Sequence, residues 1–175
     1  MKGRKPKADE SSLYHDTWML LKKYRDVVWS LELSVQQTQR KFQLEYGSSV
    51  EDFLDTMYAA GANLSGGKLE QYSKSIEQSN KMIKLMETAV GLLREKHKNG
   101  EAYYWVLYHT YLSPQQPRNV DEVVDKLRAY IPDISYATYY RRRKDAIDAL
   151  SSVLWGYSSQ DCVKILTSFF SENET

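Results

Sequence analysis

Apolar residues recur at intervals of seven along two long stretches of the chain, which is the spacing of one face of an α-helix. Between Leu13 and Tyr46 neither proline nor glycine interrupts the sequence. The repeating positions there are Tyr14, Leu21, Val28, Val35 and Phe42. The second stretch, residues 68–98, repeats the interval with Leu69, Ile76, Ile83 and Val90. The pattern predicts two long amphipathic helices.

Glycines separate these two helices. Gly47 stands where the first helix would stop, and Ser49 predicts the cap of a short helix that runs to Tyr58. The stretch GANLSGG, residues 61–67, then breaks the chain and is interpreted as a hinge. Helices with similar stripes on either side of such a break favour an antiparallel hairpin or an intermolecular bundle. The alternative is that both stripes face one monomeric core.

Shorter helices are predicted in the C-terminal half. The aromatic segment EAYYWVLYHTYL forms one, and it ends before Pro114 because proline breaks a helix. Another is capped by Asn119 or Asp121. Its apolar positions are Val123, Val124, Leu127 and Tyr130.

A final long helix begins after the capping residue Ser135 and runs to about Trp155, before Gly156. No alternating pattern is long enough for a sheet, so the predicted fold class is all-α. The domain prediction is a basic flexible tail at 1–12, a helical hairpin for oligomerisation or partner binding at 13–98, a helix-turn-helix domain at 99–158, and a short helix and tail at 159–175.

Two of the predicted helices, the one after Asn119 and the one after Ser135, match the helix-turn-helix pattern of DNA-binding proteins. Free backbone N–H groups at a helix N-terminus favour phosphate, and side chains of the first turns reach base edges. At about 100° per residue, the four consecutive cations do not form one patch. The predicted DNA-binding residues are Ser135, Tyr136, Thr138, Tyr140, Arg141, Arg142 and Lys144, with Arg142 at the edge.

The opposite side of the final helix is predicted to pack inward. It carries Tyr139, Arg143, Ala146, Ile147, Leu150 and Leu154. Because a charge on a packed face needs a partner, we expect Arg143 to pair with Glu122 across the two helices. The competing interpretation is that the cations only form a solvated helix face, since Asp145 and Asp148 dilute them.

Residues 101–155 resemble region 4 of bacterial sigma-70-type factors, and more closely the phage and prophage regulators of the ArpU and RinA type. The matching features are YYWVLYHTYL before the motif, DEVVDKL in place of an E-I-A-x-x-L pattern, and TYYRRRKDAIDALSSVLWG. In the final helix they are Ser135, Thr138, Tyr139, Ala146 and Leu150. The resemblance implies double-stranded DNA binding for transcription control, contact with RNA polymerase, and no enzymatic activity.

Two features depart from that family. The turn AYIPDI before Ser135 is longer than the usual sigma-type turn, and Arg142 stands where an apolar residue is common. Either the final helix is rotated slightly, or the Arg142 stem lies along apolar surface while its charge reaches water. No sigma region 2 is recognisable in the first hundred residues, so a complete promoter-melting factor is not expected.

Composition and motif content limit the partners, the compartment and the chemistry that the sequence predicts. The formal charge of +1 gives no indication of an anionic partner, and the basic start MKGRKPK lacks the apolar run of a signal peptide. A single cysteine, Cys162, favours a reducing compartment such as the cytoplasm, and no membrane association is expected. The histidines, His15, His97 and His109, lack metal-ligand spacing, and no nucleotide-binding or nucleophile motif is found. We therefore expect no enzyme activity, no metal and no cofactor.

The leading hypothesis is a sequence-specific DNA-binding regulator with the hairpin as a homodimer or partner surface. Two rivals stay open at this point. One is a DNA-packaging protein that resembles a phage terminase small subunit, and the other is a helical interaction module that binds no DNA.

Overall fold

The computed structural model describes residues 7–47, 49, 52, 55–56, 59–61, 68–156 and 167–168. The regular structure in these ranges is helical and contains no strand, which confirms the all-α class. None of the helices there carries an apolar stretch of the length that a bilayer crossing requires.

The helices of the described chain that carry the argument are labelled α1 to α5. Helix α1 spans Lys7–Tyr46, α2 spans Lys68–Lys96, and α3 spans Gly100–Leu107 and continues as a π turn over Tyr108–Leu112. Helix α4 spans Val120–Leu127, and α5 spans Tyr136–Ser151 before a second π turn at Ser152–Gly156. The predicted helix through Tyr130 therefore stops earlier, since Arg128 to Tyr130 form a turn.

Helix α1 begins at Lys7 rather than at Leu13, so residues 7–12 of the predicted tail are helical. The alanine and acidic residues that follow Pro6 suit the first turn of a helix. At the other end, the prediction that the helix stops at Gly47 is confirmed. Gly47 has φ +65°, a conformation that glycine adopts without strain, and its N–H donates to the carbonyl of Gln43 at 3.1 Å.

The prediction that Ser49 caps a helix is confirmed, because the Asp52 N–H donates to Ser49 Oγ at 3.1 Å. Several other predictions fall outside the described residues. These are positions 1–6 of the basic tail, 62–67 of the hinge, much of the short helix to Tyr58, and 157–166 and 169–175 of the C-terminal segment.

Helices α1 and α2 pack side by side in opposite directions. Tyr24 Oη donates to Glu87 Oε1 at 2.9 Å, whereas residues of α1 further along, such as Leu31, face Ile76 across a groove. Burial and then the hydrogen bond to Glu87 raise the pKa of Tyr24 to about 12. The apolar contact between α1 and α2 is therefore buried around Tyr24 and Ile83, and it opens into a groove around Leu31 and Ile76.

The main core joins α1, α2, α3 and α5 in one cluster. Its buried members are Leu20, Leu21, Tyr24, Met82, Ile83, Met86, Ala89, Val90, Leu93, Tyr103, Leu107, Tyr111, Ala146, Ile147, Leu150 and Leu154. The predicted domain boundary after residue 98 does not divide this core. Of the seven-residue stripe, Leu21, Ile83 and Val90 are buried in this core, and Tyr14 and Val28 pack against it.

A second, smaller core lies between α3, α4 and α5. It consists of Val106, Val123, Val124, Leu127, Ile134 and Tyr139. Helix α3 contributes to both cores from different faces, with Leu107 in the first and Val106 in the second. Packing on two sides fixes α3, and α3 in turn fixes the positions of α4 and α5.

Polar contacts tie α1 to the rest of the chain. Arg25 donates to the Ser113 carbonyl at 2.7 Å, to Ser113 Oγ at 3.0 Å and to the Thr110 carbonyl at 3.1 Å. These acceptors lie at the end of the π turn, where carbonyls have no partner within the helix. Trp155 Nε1 also donates to Thr17 Oγ1 at 3.1 Å, which anchors the π turn after α5 on α1.

Candidate nucleic-acid interface

Side-chain caps define the beginnings of α4 and α5. Asn119 Oδ1 accepts from the Glu122 N–H at 3.0 Å, so Asn119 rather than Asp121 caps α4. Ser135 Oγ accepts from the Thr138 N–H at 3.1 Å, which confirms the predicted cap of α5. Each cap satisfies an N–H group that has no acceptor within its helix, and the cap fixes where the helix begins.

The two predicted faces of α5 are separated as expected. Tyr139 is 1% exposed, and Ala146, Ile147 and Leu150 are fully buried. On the other side Ala137, Tyr140, Arg141 and Lys144 are exposed. Residues at three- and four-residue intervals share a helix face, and burial of one face leaves its opposite toward solvent.

Tyr136, a predicted DNA-binding residue, is exposed but its hydroxyl is engaged. The hydroxyl donates a hydrogen bond to Asp121 Oδ1, which joins the N-terminus of α5 to the N-terminus of α4. This hydrogen bond, followed by desolvation and by the nearby negative charge of Asp121, raises the pKa of Tyr136. The ring stays accessible to a partner, whereas the hydroxyl already serves the packing of the two helices.

Ser135 and Thr138 form a small polar pair at the beginning of α5. Their hydroxyl oxygens lie 2.9 Å apart, and Ser135 Oγ also accepts from the Thr138 N–H. Ser135 is exposed and Thr138 is half-buried. Both hydroxyls can still accept or donate one more hydrogen bond, which is the capacity that a phosphate contact requires.

Arg142 lies at the edge of the exposed face, as predicted. Its side chain is half-buried, and its Nε is a buried atom without a hydrogen-bond partner. This burial favours the second of the two explanations for an arginine at an apolar position, in which the stem lies along apolar surface and the end of the side chain reaches water.

The predicted ion pair between Arg143 and Glu122 is wrong for the described residues. Glu122 instead bonds to Lys126 Nζ at 3.1 Å and accepts from the Arg118 N–H at 2.9 Å, because its side chain turns back over the start of its own helix. These contacts lower the pKa of Glu122, with the Arg118 N–H as the main cause. The Arg143 guanidinium lies over aromatic rings, 5.0 Å from the centre of Tyr140 and 5.8 Å from that of Tyr139.

Arg143 also faces α1. Burial and then the negative charge of Asp148 raise the pKa of Tyr14, and the positive charge of Arg143 opposes that rise. Burial likewise raises the pKa of Tyr111, again against the charge of Arg143. Arg143 therefore lies between α1 and the rings of Tyr139 and Tyr140, at the border of the outer face that carries Arg141.

Acidic residues surround the cations of α4 and α5. Asp121, Glu122 and Asp125 lie on α4, and Asp145 and Asp148 lie on α5. Arg128 forms an ion pair with Asp125 three residues before it. The charges of this region are therefore mixed in sign, and residues 136–144 of α5, which include Arg141 and Lys144, carry cations but no acidic residue.

An aromatic cluster that sequence reasoning did not identify supports the turn between α4 and α5. The rings of Trp105 and Tyr130 stack with centroids 3.8 Å apart, and His109 stacks on the same indole at 5.7 Å. The spacing from Trp105 to His109 could have indicated one shared helix face. Nothing in the local sequence indicates that Tyr130 returns to Trp105.

Hydrogen bonds that involve Arg94 and Glu101 hold the Trp105 side of this aromatic cluster. Arg94 of α2 donates two hydrogen bonds to Glu101, at 2.8 and 2.9 Å, and Trp105 Nε1 donates to the same carboxylate at 2.9 Å. The Arg94 bond, and then the Trp105 bond, lower the pKa of Glu101 to about 2. The Arg94 guanidinium also lies 4.2 Å from the centre of the Tyr104 ring.

No group of histidine, cysteine and acidic side chains suited to a metal ion occurs in the described part of the chain. No family model, curated protein or solved structure matches this chain. Any functional assignment therefore depends on the chain's own residues and on the geometry of α4 and α5.

Proposed function

We propose that this protein is a sequence-specific DNA-binding transcriptional regulator whose helix α5 enters the major groove. The observation that carries the proposal is the exposed face of α5, which presents Tyr140, Arg141 and Lys144 beside a capped N-terminus, on a helix pair that shares a small core with α3. In helix-turn-helix proteins the second helix reads base edges with residues of its first turns.

Each residue of the face has a proposed role. Arg141 and Lys144 contact bases or phosphates, and Arg142 contacts the backbone at the edge of the groove. The hydroxyls of Ser135 and Thr138 contact phosphate near the helix N-terminus, where the partial positive charge favours an anion. The exposed rings of Tyr136 and Tyr140 pack against sugars or thymine methyl groups.

The resemblance to sigma region 4 and to ArpU- and RinA-type proteins supports the same proposal and extends it. It favours a phage or prophage origin, a site of action in the cytoplasm, and RNA polymerase as a further partner. The proposal includes no catalytic role.

The decisive experiment begins with selection of random duplex oligonucleotides on the purified protein, followed by binding titrations on the enriched sequence. The double variant Arg141→Ala, Lys144→Ala should weaken binding at least tenfold, since a good bidentate base contact alone gives about 1–3 kcal/mol of discrimination. The control variant Lys84→Ala, Lys98→Ala removes the same charge from exposed positions on and just after α2. Equal binding by both double variants, or no enriched sequence, would overturn the proposal.

Titrations at several salt concentrations separate the two kinds of contact. Loss of one phosphate contact lowers the slope of log affinity against log salt by about 0.9 and weakens all sequences alike. Loss of a base contact instead reduces the preference for the selected site. The single variants Arg141→Ala and Lys144→Ala should therefore differ if one residue reads a base and the other a phosphate.

A further inference from the structure

Tyr136 and Asp121 join the beginnings of the two helices of the proposed DNA-binding motif. Tyr136 is the first residue of α5, directly after the cap Ser135, and Asp121 is the second residue of α4. The two lie 15 positions apart in the chain, yet the Tyr136 hydroxyl donates a hydrogen bond to Asp121 Oδ1. This bond therefore helps to fix how the N-terminus of α5 meets the N-terminus of α4.

The turn between α4 and α5 makes such a bond necessary. Residues 128–135 separate the two helices, and a long connection by itself permits many arrangements of the elements that it joins. The ring of Tyr130 is held near the start of this stretch by its stack on Trp105. The bond from Tyr136 to Asp121 holds the other end, where α5 begins.

The ring of Tyr136 remains available to a partner while its hydroxyl is held. Tyr136 is 47% exposed and Tyr140 is 45% exposed, and a spacing of four residues places both rings on the same side of α5. A partner that packs on an exposed side chain must usually order it, which reduces the affinity. The bond to Asp121 fixes the far end of the Tyr136 side chain before any partner binds, so the ring is presented in one orientation.

Asp121 is suited to holding a hydroxyl and unsuited to contacting DNA itself. The partial positive charge at the beginning of α4 favours a carboxylate there, and a hydrogen bond to a carboxylate is stronger than one between neutral groups. An ionised carboxylate only accepts hydrogen bonds, so it cannot donate one to a phosphate, and its charge repels the DNA backbone. Any favourable effect of Asp121 on DNA binding must therefore act through Tyr136.

We propose that Asp121 is a positioning residue for DNA recognition, which fixes the Tyr136 ring and the start of α5 in the arrangement that reads the selected sequence. The inference rests on the proposed function, because it assigns how the same face obtains part of its sequence preference. Loss of Asp121 should therefore reduce the preference for the selected site. The general attraction of the cations of α5 to DNA phosphates should remain.

Binding titrations on the selected duplex and on an unrelated duplex measure this preference as a ratio of affinities. Asp121→Ala removes the acceptor, and the ratio should fall about two- to tenfold, which corresponds to ordering one side chain on binding. Asp121→Asn keeps an oxygen acceptor and should restore most of the ratio. The control Asp125→Ala removes the same charge one turn further along α4, where the carboxylate pairs with Arg128, and should leave the ratio unchanged.

A purely electrostatic role of Asp121 would give a different result. Loss of a negative charge beside DNA tightens the binding of every duplex alike, so the two Asp121 variants and Asp125→Ala would all bind more tightly with an unchanged ratio. That outcome would overturn the inference. Tyr136→Phe should reduce the ratio as Asp121→Ala does, and the double variant should lose no more, because both changes remove one bond. A full additional loss in the double variant would show that Asp121 does not act through Tyr136.

A tyrosine titration tests the bond in the full chain without DNA. NMR of isotope-labelled tyrosine rings follows the Tyr136 phenol, and Tyr136→Phe identifies its signal. The hydrogen bond to Asp121 favours the neutral phenol and raises the pKa of Tyr136, while Asp125 adds to the rise and Arg128 opposes it. The pKa should therefore fall in Asp121→Ala, and by less in Asp125→Ala. An unchanged titration in Asp121→Ala would overturn the inference, because the bond would not form in solution.

Failure of this inference and failure of the proposed function can be distinguished. An enriched sequence whose preference is the same in wild type and in Asp121→Ala would overturn the positioning role alone. Absence of any enriched sequence would overturn the proposed function and the positioning role with it, even if the titration confirms the bond.

Discussion

The hydroxyl oxygens of Thr110 and Tyr139 lie 3.1 Å apart, so a hydrogen bond joins the π turn after α3 to the buried face of α5. The carbonyl of the same Thr110 accepts from Arg25 of α1. The position of α5 therefore depends on a continuous set of contacts that begins on the first helix, far from the face proposed to bind DNA.

Replacement of Tyr139 by phenylalanine tests this link. The ring stays in the small core, but the Thr110 hydroxyl loses its partner, so the free energy of unfolding should fall by about 1 kcal/mol. Urea denaturation followed by circular dichroism measures it. Tyr140→Phe is the matched control, because Tyr140 is 45% exposed and should unfold like wild type. An equal loss in both variants would contradict the role given to the hydrogen bond.

Arg25 should be more sensitive to replacement than other cations. Arg25→Met keeps much of the aliphatic volume but leaves the Ser113 and Thr110 carbonyls without their donor, so the stability should fall by about 2–3 kcal/mol. Lys84→Met, at an exposed position on α2, should change stability by less than about 0.5 kcal/mol. Equal unfolding midpoints for the two variants would show that Arg25 does not hold the π turn.

Two glycines near the end of α2 should respond in opposite directions to alanine. A Cβ on Gly100 would collide with the backbone carbonyls of Leu93 and Arg94, so Gly100→Ala should destabilise the fold by about 1–3 kcal/mol. A Cβ on Gly91 would meet no atom within 4 Å, and Gly91→Ala should stabilise α2 by about 0.5–1 kcal/mol. Thermal unfolding of both variants measures the contrast, and the same sign of change in both would contradict the predicted collision.

Ser135 allows stability and DNA binding to be separated. Ser135→Ala removes the cap of α5 and should cost about 1 kcal/mol, while Ser135→Asp retains a capping oxygen and should keep the stability within about 0.5 kcal/mol. The added negative charge of Ser135→Asp should nevertheless weaken DNA binding, because it lies where a phosphate is proposed. DNA affinity equal to wild type in Ser135→Asp would remove Ser135 from the interface.

His109 should make stability depend on pH. Burial, and then the positive charge of Lys126, lower its pKa from 6.5, and its Nε2 is buried without a partner. The unfolded chain therefore binds a proton more readily than the folded one, so stability falls as the pH drops through 6.5 and levels off below the folded pKa. Urea unfolding at several pH values should give a smaller acid loss for His109→Gln than for wild type. An unchanged pH dependence in that variant would contradict this role of His109.

Local sequence predicted the elements of this fold because the responsible forces act within a few residues. The caps at Asn119 and Ser135, the stop at Gly47 and the all-α class follow from hydrogen bonding and helix periodicity. The division of α5 into a buried side at Tyr139 and an exposed side at Arg141 follows from the same periodicity. The exposed residues of the proposed DNA-binding face could therefore be predicted largely from the sequence.

Contacts between distant segments could not be predicted in this way. The stack of Trp105 on Tyr130, the bonds from Arg25 to the π turn and the continuous core across residue 98 depend on how the helices meet. The expected pair of Arg143 and Glu122 is wrong for a different reason. Glu122 has local partners, the Arg118 N–H four residues before it and Lys126 four residues after it.

The sequence by itself determined which segments are helices, where they begin and which side of each is apolar, since these properties depend on local hydrogen bonding and on a fixed angle per residue. Only the tertiary structure decided which apolar sides are used. It buried Leu21 of α1 in the chain's own core and left Trp29 of the same helix 63% exposed, because a helix face is covered only where another element packs beside it.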